Sequence, residues 1–189
     1  MDDFYRIIKQ NNYLYDVIKI ASSEQIEDFY IGAGAVAQTI WNSIFGYELN
    51  YGIDDIDIAY FNNDDLSELA EDIVIKALSQ KLKHIPFHMD IKNQARTHLW
   101  YKDKFGYDIL AVSSIKDAID RWPTTATSIG LRINRHGMEI YAPFGLDDLF
   151  LGIVRANKRQ ITSEIFDRKV QKWIKKWPNL KIIPWNLKH

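Results

Sequence analysis

The 189-residue sequence has no cysteine, which excludes both a disulfide framework and a thiolate metal site. It has almost no net charge. A formal charge of −1 supplies no global field for a polyanion, so an extended nucleic-acid surface is not expected and only a local basic groove stays open. No apolar run approaches the length of a membrane span, which argues against a membrane partner. The opening Met-Asp-Asp-Phe-Tyr-Arg lacks the basic stretch and apolar core of a secretory signal. These absences point to a cytoplasmic protein. Internal repeats, low-complexity tracts and Pro/Ser-rich linkers are missing too, so a single domain over 1–189 is expected. What is present is ordinary for a folded globular chain, with 47% apolar and 26% charged residues.

Apolar spacing predicts helix over 2–20, within an N-terminal helical segment 1–27. Phe29-Tyr30-Ile31 reads as a short strand that feeds Gly32-Ala33-Gly34. A wide apolar helix face follows, carried by Val36, Ile40 and Ile44 with Ala37, Trp41 and Phe45, and Gly46 is a plausible stop. Residues 55–61 read as a strand, and Asp65 with Glu68 as the capping box of the next helix. A second alternating strand covers 87–92. Helix is expected over 94–105, with Leu99 and Trp100 inward, and over 114–121. Strand is expected over 124–133, closing a hairpin with 138–141. The C-terminal segment 146–189 reads as largely helical to Lys176, where Trp177-Pro178 ends it. The order of elements suggests an α+β (α/β-like) fold, a mixed sheet of four to five strands flanked by helices.

The chemistry is concentrated in Asp55-Ile56-Asp57-Ile58. Strand alternation puts Asp55 and Asp57 on one face and the isoleucines on the other. Two carboxylates so close repel unless water or a divalent cation relieves them. On the second strand His88, Asp90 and Lys92 share the polar face, so Asp90 supplies a third ligand if the two strands are neighbours. An all-oxygen set favours Mg²⁺, or Mn²⁺, over zinc. Gly32 and Gly34 would let backbone approach a phosphate at the following helix start. Each piece has a plainer account: a solvated strand face for Asp-x-Asp, a packing turn for Gly-x-Gly, simple exposure for Asp90. Their order along the chain gives the combined reading its weight.

The segment Ile31-Gly32-Ala33-Gly34-Ala35-Val36, followed by a helix and then Asp55-Ile56-Asp57-Ile58, resembles the nucleotidyltransferase fold of the DNA polymerase beta superfamily. The resemblance is closer to a bacterial family of uncharacterised nucleotidyltransferases. It extends over Lys92-Asn-Gln-Ala-Arg-x-His-Leu-Trp-Tyr101, Pro123-Thr-Thr-Ala-Thr127, the 142–150 run Ala-Pro-x-Gly-Leu-Asp-Asp-Leu-Phe, and an Arg-x-x-x-Lys-Trp helix from Arg168 to Trp173. It spans about residues 28–185. The resemblance implies that Asp55, Asp57 and Asp90 are the catalytic, metal-binding carboxylates. It implies that Gly32, Gly34 and Ala35 form the phosphate turn, and it makes Arg96 a candidate triphosphate ligand through its planar fork. The implied activity is Mg²⁺-dependent transfer of a nucleoside monophosphate from an NTP to a hydroxyl of an unknown acceptor, whether small molecule, protein or RNA.

Two departures stand against that pattern. Ala35 occupies a place where the superfamily often has serine, and Ala37 one where the family often has arginine. They motivate an alternative, a catalytically weak or inactive nucleotide-binding or interaction module of the same fold. Other polar residues have structural readings: His98 a semi-buried histidine, Asp147-Asp148 a helix cap, and Asp54, Asp64 and Asp65 turn or helix-start residues. Trp173, Trp177, Leu180 and Trp185 read as a packing cluster, and Lys169, Lys172, Lys175 and Lys176 as a solvated basic edge.

Overall fold

The computed structural model describes residues 2–24, 26 and 28–187. The N-terminal helical stretch is two helices, α1 (Asp2–Gln10) and α2 (Asn12–Ser23), because Asn11 interrupts it. The Asn11 side chain accepts from the Leu14 amide (3.2 Å) and donates to Thr39 Oγ1 (2.9 Å), so a fully buried polar residue caps α2 and ties it to the next helix. Strand β1 (Phe29–Gly32) runs straight into α3 (Ala33–Phe45), which Gly46 ends in a left-handed conformation at φ 76°. Next come β2 (Asp55–Tyr60), α4 (Glu68–Lys81) and β3 (His88–Asn93). A 3-10 turn at Gln94–Arg96 leads into α5 (Thr97–Phe105) and then α6 (Ile115–Ile119). The hairpin of β4 (Gly130–Asn134) and β5 (Gly137–Tyr141) is followed by α7 (Asp147–Phe150), β6 (Ile153–Val154), α8 (Ser163–Lys176) and β7 (Lys181–Ile182).

The main sheet has five strands in the order β3-β2-β1-β4-β5, and only β2 and β3 run parallel. This is the mixed α+β architecture expected from the element order. One face, through Ile31, Ile56, Ile58 and Leu131, packs on the apolar stripes of α1, α2 and α3. The other face carries Tyr30 and Ala59 against Ile115 and Ile119 of α6, and further along it the aspartates.

Five local readings are corrected. Helix α4 starts after Ser67, whose hydroxyl accepts from the Ala70 amide, while Asp65 accepts from the Ser67 amide in an Asx turn. The short side chain of Asp65 thus stabilises the turn before the helix instead of capping it. Inward on α5 is Tyr101, and Leu99 is 53% exposed. The strand of 124–133 shrinks to β4, because Thr124 bonds Thr127 Oγ1 (2.7 Å) and its carbonyl takes the Ser128 hydroxyl, which curls 124–128 into a turn. The C-terminal segment is not one helical stretch: β6 pairs with β7 in a small parallel sheet between α7 and the chain end. Asp147 and Asp148 lie in the first turn of α7 without capping it, and Asp148 instead accepts from Thr125 Oγ1 (2.6 Å) and Arg155 Nε (3.1 Å).

Candidate active site

Register builds the site. Gly32 at the end of β1 stands opposite Asp57 on β2, and Asp57 stands beside Asp90 on β3. One row across the sheet therefore joins the glycine turn to two carboxylates, with Asp55 two residues along β2 on the same face. A cavity of about 300 Å³ opens over this row. Its lining includes Gly34 and Gln38 of α3, the three aspartates, Lys92, Trp122, and Lys169 and Trp173 of α8.

The electrostatics explain why such a row is costly. Burial pushes the Asp57 carboxyl up to about 7, and the charges of Asp55 and Asp90 push in the same direction, while Lys92 and Lys169 oppose them. Neither Asp55 nor Asp57 accepts a side-chain hydrogen bond among the described residues. Asp90 is ion-paired with Lys92, its neighbour two positions on and on the same face. Three carboxylates against two ammonium groups leave the cavity wall with one excess negative charge at high pH. A triphosphate would be repelled by that wall unless a cation came with it.

The donor chemistry fits a hard divalent ion: all oxygens, mutually repelling, with two carboxylates open to the cavity. Among the described residues, no three carboxylates or histidines are already drawn into a metal-holding geometry. Asp55 and Asp57 are the open pair, and Lys92 holds Oδ2 of Asp90.

The glycine turn divides its work differently from the sequence expectation. Gly32 does not line the cavity. A Cβ there would stand 2.3 Å from the Trp122 ring and 2.9 Å from the Ile129 carbonyl, so the glycine is set by packing. The strained residue is the one between the glycines, Ala33, at φ 51°, which turns the chain sharply from strand to helix. Its amide is used by the Ile129 carbonyl (3.1 Å). Gly34 does line the cavity. Ala35 has its methyl fully buried in the core, so only its backbone amide, in the uncapped first turn of α3, is available to a ligand.

Arg96 is not brought to the site. Its side chain is 8% exposed and faces α4, where it is ion-paired with Glu71 and donates from Nε to the Leu66 carbonyl (2.8 Å). Glu71 also accepts from the Asn93 amide (2.8 Å), so the pair fastens α4 to the end of β3. Asp54 lies outside the cavity as well, bonded to Lys176 Nζ at 2.6 Å.

Helix α8 contributes what sequence reasoning missed. The sequence places Lys169 on a solvated edge, and the residue as a whole is exposed. Its ammonium nevertheless sits at the cavity, 5.8 Å from the Trp173 ring centre, where burial pushes its pKa down and Asp57 and Asp55 pull it up. The tryptophan cluster is real and does more than close the C-terminus. Trp41 meets Trp173 at 5.5 Å and Trp177 at 5.8 Å, and Trp177 Nε1 donates to Asn42 Oδ1 at 2.7 Å. These contacts hold α8 on α3 and present Lys169 and Trp173 to the aspartates. The signal was in the sequence: Lys169 and Trp173 are four apart, on one helix face.

A family model described as Nucleotidyltransferase matches residues 19–182, most of the chain. No curated protein matches. Among solved structures, the chain is similar to one titled "The NMR structure of the protein reveals a CCA-adding enzyme head domain". Identity is 23%, the match covers 97% of this chain and 96% of that one, and the TM-score is 0.79, a likeness of fold. Among the described residues no helix is long and apolar enough to cross a membrane.

Proposed function

This chain belongs to that nucleotidyltransferase family, and on this premise we propose that it transfers a nucleoside monophosphate from an NTP to a hydroxyl acceptor at the Asp55–Asp57–Asp90 face. The observation that carries the reading is the row of Gly32, Asp57 and Asp90 across three adjacent strands, beside the uncapped start of α3. The free amides of Gly34 and Ala35 and the positive end of α3 receive the triphosphate. Asp55 and Asp57 would hold Mg²⁺, which when bound neutralises the phosphates and the carboxylates together.

The residues of the chain then have separate tasks. Lys169, free of any ion pair within 4 Å among the described residues, faces the charge on the leaving phosphates, and Trp122 and Trp173 supply aromatic lining to the same cavity. The acceptor oxygen attacks the α-phosphorus, the bond to the β-phosphate breaks, and pyrophosphate leaves. Asp90, once released by Lys92, takes the proton of the attacking hydroxyl.

One observation favours the second reading, a binding module without turnover: Lys92 closes Asp90. The two readings separate in one assay. Label on the α-phosphate of an NTP is expected to pass to an acceptor when Mg²⁺ is present, with γ-label recovered in pyrophosphate. Tight NTP binding with no α-label transfer over a broad acceptor screen, RNA included, would leave only the binding module.

A further inference from the structure

Gln38 is 8% exposed, lines the cavity, and has no hydrogen-bond partner for its buried Oε1. It lies one turn after Gly34 on α3, and its Nε2 stands 3.2 Å from where a Gly34 side chain would begin. A buried acceptor without a partner destabilises the fold, because its desolvation is not offset by a hydrogen bond. Oε1 is shut off from solvent as the side chain stands, and rotation of the terminal carboxamide, a broad torsion in glutamine, would turn it from the cavity wall toward a ligand that offers a donor. Resting on the reading of this cavity as a triphosphate site, we infer that Gln38 recognises the sugar of the nucleotide, its Oε1 accepting a hydrogen bond from a ribose hydroxyl.

The choice of partner follows from the chemistry of the ligand. Ionised phosphate oxygens only accept, so they cannot satisfy Oε1. The donors a nucleoside triphosphate carries are its sugar hydroxyls and the N–H groups of its base. Gln38 projects from the first turns of α3, where the amides of Gly34 and Ala35 receive phosphate. The group next to the phosphates is the sugar, and the base lies beyond it. Nε2, beside Gly34, donates to a phosphate oxygen, so one carboxamide spans both parts of the ligand. Ala35 and Ala37 bring neither hydroxyl nor guanidinium to this turn, and Gln38 supplies the side-chain donor they lack. A pocket that satisfies a buried acceptor through a ligand hydroxyl rejects the analogue without it, because the acceptor is then left unpaired. The site is thereby assigned to ribonucleotides over sugars without hydroxyls.

The test crosses residue with ligand. Dissociation constants are measured by calorimetry, with Mg²⁺, for the four NTPs as α,β-methylene analogues and for their 2′,3′-dideoxy counterparts, on the wild type, Gln38→Leu and Gln38→Glu. The wild type is expected to lose roughly 10-fold or more in affinity on removal of the hydroxyls. Gln38→Leu is expected to bind both sugars alike and more weakly than the wild type binds the ribose form. Gln38→Glu keeps an acceptor, so it retains the preference for ribose while repelling the triphosphate, and it is informative even if the leucine variant is poorly folded. No preference in the wild type, or a preference that persists in Gln38→Leu, overturns the inference. Asp55→Asn separates the two levels. If the wild type binds NTP and Asp55→Asn weakens it while sugars are not distinguished, only this inference falls. If the wild type binds no NTP with Mg²⁺, the reading of the site falls with it.

Discussion

Asp57→Asn is expected to make the metal-free protein more stable and the loaded protein inactive. In the folded chain burial holds the Asp57 carboxyl up at about 7, with the Asp55 and Asp90 charges adding to it, against 3.8 ordinarily. Folding therefore keeps a proton that the unfolded chain releases, and this favours the fold below pH 3.8 and is lost as pH rises through about 7. Above that pH the folded wild type carries an ionised carboxylate among its own kind, at a cost on the order of 4 kcal/mol. Asparagine removes the charge with little change of shape. At pH 8 without metal its melting temperature is expected to exceed the wild type by several degrees, with the gap closing toward pH 4. With Mg²⁺ and NTP, α-label transfer is expected to fall roughly 10³-fold, about 4 kcal/mol of transition-state stabilisation. Thermal melts across pH, read beside the transfer assay, check both halves. A variant that is less stable at pH 8 contradicts the electrostatic account.

Arg96→Met is expected to give the opposite profile, a large loss of stability with little change in nucleotide affinity. Arg96 and Glu71 are both largely buried, and removing one partner leaves the other charge without compensation. Breaking a buried pair in this way costs about 3–5 kcal/mol. Urea unfolding of the variant measures it directly. Below the melting range, NTP affinity is expected to stay within about twofold of the wild type, because the guanidinium faces α4 and not the cavity. Unchanged stability with weakened NTP binding would return Arg96 to the site.

The contrast between these residues shows what a sequence exposes. Asp55 and Asp57 were legible because strand period 2 fixes which face two residues share, whatever the rest of the fold does. That Asp90 is neighbour to Asp57 was legible only as a condition, since register depends on pairing across 33 positions of chain. Arg96 was misplaced by proximity: it is six residues from Asp90, and its partner Glu71 lies 25 residues back on another element. Lys169 was misplaced by periodicity, which sees a polar helix edge and does not see which surface that edge meets. The glycine turn was read correctly as a strand-to-helix switch. The positive φ falls on Ala33, while Gly32 makes room for the close approach of Trp122. The helix cap at Ser67 and the turn at 124–128 were hidden by short polar side chains that bond their own backbone, a choice that propensity alone does not resolve.

The central claim is that the aspartate face binds a triphosphate through a divalent cation. Calorimetric titration of an NTP into the protein, with Mg²⁺ and with EDTA, on the wild type, Asp55→Asn and Asp57→Asn, tests it most directly. The account predicts binding that Mg²⁺ strengthens at least about tenfold in the wild type, since the wall alone repels the phosphates, and that strengthening is lost in both variants. Equal affinity with and without Mg²⁺, or strengthening that survives in both variants, would contradict it.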